Sequence, residues 1–283
     1  MTRLRTSRHD APGAALTAMS ASAQTLEMDS SASNSGTFLF SGNLIGAYGV
    51  NNATVGALAP ATAVIVTDTD GSISGVTGTT FVAGASAPLT GITVDASNDI
   101  VSIESMGGNF QSAPKSPVPD GGLLTINNLS YDSATNIIYA DVGGANLGNN
   151  YVLPTTHEAV FNVGNLAYST DGGLTYPTIA DPTTFALPGA GTYTIRAGNL
   201  LTVGGSSGAV AQQFISLLGL KSTGLSTFQG IDTPNSPIWG NDGFGTLTTT
   251  ITVKAVPEPS TLALPGLGVM GLAVAGRRRS AKN

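Results

Sequence analysis

The stretch GGLLTINNLSYDSATNIIYADVGGAN, Gly121 to Asn146, alternates apolar and polar residues on both sides of the short polar run DSATN. A two-residue period puts successive side chains on opposite faces of an extended chain, so such a segment covers a core with one face only as a strand. Leu124, Ile126 and Leu129 are predicted to face Ile137, Tyr139 and Val142 across the turn. The pattern recurs. ATAVIVTDTDGSISGV carries an apolar run into a turn at Asp70 and Gly71, and GITVDASNDIVSIES places Ile92, Val94, Ile100, Val101 and Ile103 around an Asn/Asp turn. Leu247 to Val253 make a last alternating strand. Charged residues are only 10% of the chain and 37 of its 283 residues are glycine, a balance that favours strands and turns over charged surface helices. The bulk of the chain is therefore expected to be mainly β, an antiparallel β-sandwich-like domain.

Two places break the rhythm. SAPKSPVPDGG, Ser112 to Gly122, concentrates three prolines and two glycines, as an internal linker or a long loop between β layers would. SGAVAQQFISLLGL has Val210, Phe214, Leu217 and Leu218 at helical spacing with Gly219 after them, and predicts one short helix over 208–218. No repeat is long enough to imply a solenoid or propeller.

Basic residues gather at the two ends: Arg3, Arg5 and Arg8 at one, Arg277, Arg278, Arg279 and Lys282 at the other. Between Gln24 and Val256 four basic residues stand against fifteen acidic ones, a balance of -11. That surface repels nucleic acid and suits solubility or a hydrated polymer matrix. The absence of cysteine excludes disulfides, thiolate zinc sites and cysteine nucleophiles.

The ends carry targeting signals. Residues 1–23 combine a basic start, a short apolar stretch and Ala21 and Ala23 at A-x-A spacing, the outline of a signal peptide. That leaves 24–255 as the exported domain and 256–283 as a tail. In the tail, Pro257, Glu258, Pro259, Ser260 and Thr261 precede an uncharged run from Leu262 to Gly276 that contains Leu264, Pro265, Leu267, Val269, Met270, Leu272 and Val274. As a helix this run spans about 22 Å at 1.5 Å per residue, against ~30 Å of hydrocarbon, so Ser260, Thr261 and the arginine stems complete the predicted transmembrane helix. Arg277, Arg278 and Arg279 hold its far end in the cytoplasm and place the preceding domain outside.

The order Val-Pro-Glu-Pro-Ser-Thr, apolar run and arginine cluster resembles the PEP-CTERM sorting signal of exopolysaccharide-producing bacteria with an outer membrane. The resemblance implies that an integral-membrane exosortase recognises Pro257, Glu258 and Pro259, that Leu262 to Gly276 is a temporary inner-membrane span, and that Arg277 to Arg279 are a retention cluster. Cleavage near the motif would then send the exported part to the cell surface or matrix.

Candidates for chemistry are few. GGSSG, Gly204 to Gly208, matches G-x-S-x-G with Ser206 at its centre. Hydrolases with that elbow place their histidine after the serine; here His157 precedes it, and a Gly/Ser turn entering a helix accounts for the match. His157 has only Glu158 as a sequence neighbour that binds metals, which makes no zinc site, and reads as a surface or loop imidazole. STDGGLTY, Ser169 to Tyr176, resembles the Asp-box of secreted β proteins, in which Ser169, Asp171, Gly173 and Thr175 would tie down a hairpin turn. DTDG, Asp68 to Gly71, lacks the further ligands of a calcium loop. NAT at Asn52 and NLS at Asn128 are glycosylation triplets of a kind that arises by chance.

The leading reading is an exported, non-catalytic protein of the cell surface or exopolysaccharide matrix, without metal or cofactor, whose partners are the exosortase, the inner membrane during transit and exopolysaccharide. A polysaccharide-binding module is the alternative; it needs exposed aromatics, and Trp239, Tyr131, Tyr139 and Tyr151 are those available. A secreted serine hydrolase using Ser206 is the third.

Overall fold

The computed structural model describes residues 25–50, 53–67, 80–113, 122–146, 148, 150–220, 222–232 and 243–256. Among them twelve strands follow one another: β1 (Thr25–Met28), β2 (Ser35–Phe40), β3 (Thr54–Leu58), β4 (Thr62–Thr67), β5 (Thr80–Val94), β6 (Ile100–Ser105), β7 (Gly108–Ala113), β8 (Gly122–Asp132), β9 (Ile137–Asn146), β10 (Tyr151–Ser169), β11 (Gly191–Thr202) and β12 (Gly245–Val256). Every ladder between these strands is antiparallel. The body is thus mainly β and antiparallel with few helices, consistent with a sandwich-like fold.

The pairing path runs β8-β6-β5-β2-β12-β11-β10-β9, and β9 returns to β8, so these eight strands close a ring. Closure leaves the ring without free edges, which limits pairing with other chains. β6 and β7 share one edge of β8, at Ser130–Asp132 and Gly122–Asn127 respectively. The chain bends between them at Gly107, whose φ of 85° no β-branched or bulky residue adopts without strain. The hairpins expected from the alternation form as β5–β6 and β8–β9; β4 also pairs with β5, from Thr80 onward, while the turn expected at Asp70 and Gly71 lies outside the described residues. The Pro-rich stretch runs between β7 and β8, which pair with each other and set Ala113 opposite Gly122; residues 114–121 lie outside the described ones.

Inside the ring an aromatic cluster fills the core. Phe161, 1% exposed, lies 5.8 Å from Phe38, 5.6 Å from Phe244 and 6.3 Å from Phe214, ring centre to ring centre, in stacked, tilted and edge-on contacts. The predicted helix is present as α2 (Ala209–Leu218), with Val210, Phe214, Leu217 and Leu218 buried against the sheet. Gly219 ends it in the left-handed conformation, φ 60°.

Two expectations need correction. The short helix is not alone: α1 (Gly42–Val50) and α3 (Ser222–Ile231) are also helical and pack on each other. Their Gly, Ser and Thr content lowers intrinsic propensity, and burial of Leu44, Ile45, Tyr48, Phe228 and Ile231 outweighs it. In β9 the phase is reversed for two residues: Ile138, Ala140 and Val142 are buried, while Ile137 and Tyr139 point outward. The break in phase lies in β8 instead: a bulge between Asn127 and Ser130, where Asn128 takes φ 51°, keeps Leu129 and Tyr131 buried beside a β9 that alternates without interruption from Ile137 to Val142. Among the described residues no helix is long and apolar enough to cross a membrane; the predicted span Leu262 to Gly276 lies outside them.

Candidate functional site

The sorting motif follows directly on a strand of the ring. β12 lies between β11 on one edge and β2 and β1 on the other, and its last four residues pair with β1, Val253 opposite Met28 and Val256 opposite Thr25. Lys254 and Glu27 face each other across this ladder, Nζ to Oε1 3.3 Å. Asn34 locks it further: its Oδ1 accepts from the Thr252 amide at 2.7 Å and its Nδ2 donates to the Asp29 carbonyl at 2.8 Å. The Asp29 carboxylate takes bonds from the hydroxyl and amide of Ser31, which hold its pKa below the ordinary value. Pro257, Glu258, Pro259, Ser260 and Thr261, the span Leu262 to Gly276 and Arg277 to Arg279 lie outside the described residues, as do residues 1–24, Asn52, Asp68 to Gly71 and Trp239.

His157 is on strand β10, opposite Asp141 of β9, and is not a loop residue. Its Nδ1 lies 2.8 Å from Asp141 Oδ1, while Asp141 Oδ2 accepts from Asn128 Nδ2 at 2.8 Å. The imidazole stacks at 6.0 Å on the outward ring of Tyr139. A cavity of about 450 Å³ opens beside it, lined by Thr90, Glu104, Met106, Asn128, Ser130 and His157 among others. A stacked ring pair flanked by carboxylate, amide and hydroxyl groups suits the apolar face and rim hydroxyls of a sugar. Of the other aromatics considered, Tyr151 is half-buried, and Tyr131 is buried with its hydroxyl donating to Asn136, so it belongs to the core and not to a binding face.

Ser206 sits in a single helical turn, Gly205–Ser207, between β11 and α2, and its carbonyl accepts from Gln212 Nε2 at 3.1 Å. Among the described residues no hydrogen bond joins it to His157. The Asp-box resemblance does correspond to a built turn: Asp171 accepts from the amides of Leu174 and Thr175 at 3.0 and 3.1 Å and from the Thr175 hydroxyl at 2.7 Å, and Ser169 bonds to the same carboxylate. These donors, Ser169 and Thr175 foremost, hold the Asp171 carboxyl well below the usual carboxylate range. The turn lets residues 177–179 fold back on β10, where Thr178 bridges to Ala167.

Sequence reasoning passed over Asp232, which is 1% exposed. It accepts from the Thr202 amide at 2.7 Å and bonds to the Thr202 hydroxyl, yet burial outweighs both and pushes its pKa up to about 6. An acid at the end of a Gly/Thr-rich helix gives no local sign of burial, so only the folded structure shows it.

Residues 255–279 match the family model described as the PEP-CTERM protein-sorting motif. The chain thus carries a PEP-CTERM sorting signal, which implies an exported protein with a C-terminal membrane-anchored signal, processed by an exosortase. No curated protein matches the sequence. Two solved structures are similar to it: the C-terminal domain of HtaA from Corynebacterium glutamicum, at 13% identity over 81% of this chain and 99% of that one with a TM-score of 0.39, and the heme binding protein HtaB from the same organism, at 10% identity over 82% and 97% with a TM-score of 0.41.

Proposed function

We propose that this chain is a non-catalytic protein of the cell surface or exopolysaccharide matrix, held in the inner membrane by its tail until an exosortase releases it. The observation that carries the reading is the sorting motif at 255–279, set against the end of a core strand. Proline fixes φ and lacks an N–H donor, so Pro257 and Pro259 favour an extended chain that a protease cleft can take. Moving the arginines into hydrocarbon costs roughly 2.5 to 3.5 kcal/mol each, which prevents the tail from slipping through. A second reading, a polysaccharide-binding module, is favoured by the Tyr139–His157 pair beside a cavity that also exposes Glu104, Asn128 and Ser130.

In the native host the surface-associated protein should end near Pro257 to Thr261, and Glu258→Gln should leave the whole tail attached and the protein in the inner membrane. C-terminal peptide mass spectrometry of surface material decides it: intact tails ending at Asn283 in matrix or medium would sink the sorting reading. Ser206→Ala and His157→Ala should each leave surface deposition unchanged. Loss of a matrix phenotype in the Ser206 variant, with folding preserved, would instead favour a hydrolase.

A further inference from the structure

On the outer face of β10, β11 and β12 a second cavity of about 280 Å³ contains Arg196, Tyr176, Asn165, Asn199 and Thr246 in its lining. Arg196 is exposed, and among the described residues it is the basic side chain without an ion pair: Lys254 is bound to Glu27 and His157 to Asp141. Its guanidinium carbon lies 6.0 Å from the centre of the Tyr176 ring. Among the described residues no carboxylate lines the cavity, although acidic residues far outnumber basic ones in this part of the chain. The planar guanidinium therefore has donors free for an oxygen anion, and its neighbours are amides, hydroxyls and one aromatic ring.

The surroundings are built rather than incidental. The Ser169–Asp171–Thr175 turn delivers Tyr176 to this face, and Gly173 leaves room for its hydroxyl, since a methyl there would sit 2.8 Å from it. The Asn165 carboxamide lies over Gly198 of the neighbouring strand, where a methyl would collide with it. Cross-strand pairing then aligns Thr178, Ala167, Arg196, Thr248, Thr37 and Ser86 in one row across the sheet. At ~4.8 Å per strand the row extends about 24 Å, with the small Ala167 leaving the floor open beside the arginine.

We infer that this row binds a carboxylate-bearing polysaccharide, with Arg196 holding one uronate carboxylate, Tyr176 covering the sugar face, and the Thr, Ser and Asn side chains bonding ring hydroxyls. The choice of a sugar as the carrier of the carboxylate rests on the surface-matrix reading above; the anion recognition rests on the cavity. At physiological ionic strength charges beyond about 8 Å are screened, so the negative body does not prevent a short acidic oligosaccharide from reaching Arg196.

The test uses the full chain in detergent micelles and tri-galacturonic acid, followed by calorimetry at 0.15 M salt. Saturable binding should fall by about tenfold or more in Arg196→Gln, since a charge-assisted bidentate contact is lost, and should fall in Tyr176→Ala. Lys254→Gln, whose charge lies in the β1–β12 ladder, should bind as the unaltered chain does. The carboxyl-reduced trisaccharide and free acetate should both bind at least tenfold more weakly. No binding, equal binding of the neutral trisaccharide or of acetate, an inert Arg196→Gln, or an equal loss in Lys254→Gln would each overturn the site. Fractionation of the host separates this from the broader reading: uronate binding by a protein that never reaches the surface would sink the matrix function and leave the site, whereas surface deposition without uronate binding would sink the site alone.

Discussion

Replacing Asp232 by asparagine should stabilise the protein at neutral pH. A carboxyl whose folded pKa, about 6, exceeds its unfolded value of 3.8 keeps its proton in the fold at pH values where the unfolded chain has lost it. Its contribution is therefore fully present below pH 3.8 and is lost as the pH rises through about 6. That difference in proton affinity corresponds to about 3 kcal/mol at pH 7.5. The amide reproduces the protonated arrangement: its oxygen accepts from the Thr202 amide, its nitrogen donates to the Thr202 hydroxyl, and that hydroxyl donates to the Gly205 carbonyl, 3.2 Å away. Asp232→Asn should match the parent near pH 4 and exceed it by up to about 3 kcal/mol at pH 7.5. Asp29, Asp171 and Asp181 do not obscure this, because their lowered pKa values give stability that is lost only as the pH falls below 3.8. Urea denaturation followed by circular dichroism at pH 4, 5, 6 and 7.5 measures both chains. Parallel pH dependences, or a variant less stable than the parent at pH 7.5, would refute the burial argument.

Two further outcomes follow from the core and the turn. Phe161→Ala removes a ring in contact with Phe38, Phe214 and Phe244 and should cost about 3–5 kcal/mol, read from the midpoint of the same denaturation curves; a loss under 1 kcal/mol would mean that the cavity collapses freely. Asp171→Ala should abolish hydrogen-exchange protection at the amides of Leu174 and Thr175, and in the unaltered chain the same protection should persist at pH 3.8 and fade only well below it, because the hydrogen-bonded carboxylate holds its charge below its ordinary value. Protection independent of pH would show that the backbone alone holds the turn.

What was legible in the sequence was local. The β5–β6 hairpin could be read because Ile92 and Ile103 pair across an Asp95–Asp99 turn whose Asp95 side chain binds the amides of Ser97 and Asp99. The β8–β9 hairpin is legible but its phase is not, since Ile137 and Ile138 are equally apolar and the alternation breaks in β8, at the Asn128 bulge, while β9 runs on regularly. α1 left one unused signal: Ser41 caps it, accepting from the Leu44 amide at 3.3 Å, but Gly42, Gly46 and Gly49 mask the pattern. Ring closure through the long-range β2–β5 and β2–β12 ladders, and the meeting of Arg196 with Tyr176 twenty positions away, depend on register between strands, and no local period encodes that.

The placement of the sorting tail follows from the same registers. Among the described residues Lys254, Ala255 and Val256 are held by β1 alone, because β11 pairs β12 only as far as Val253 and β2 only as far as Thr250. The segments before Thr25 and after Val256 therefore leave the fold at the same end of one short ladder. All described ladder bonds of β12, together with the Asn34 lock and the Lys254–Glu27 pair, lie upstream of Pro257. A cut between Pro257 and Thr261 removes none of them, so removal of the anchor changes where the protein is held without drawing on the interactions that keep this ladder closed. The converse also holds: among the described residues β1 is the sole brace on the last three residues before the motif, and the part of the fold that an approaching protease disturbs first is this four-residue ladder, not the aromatic core around Phe161.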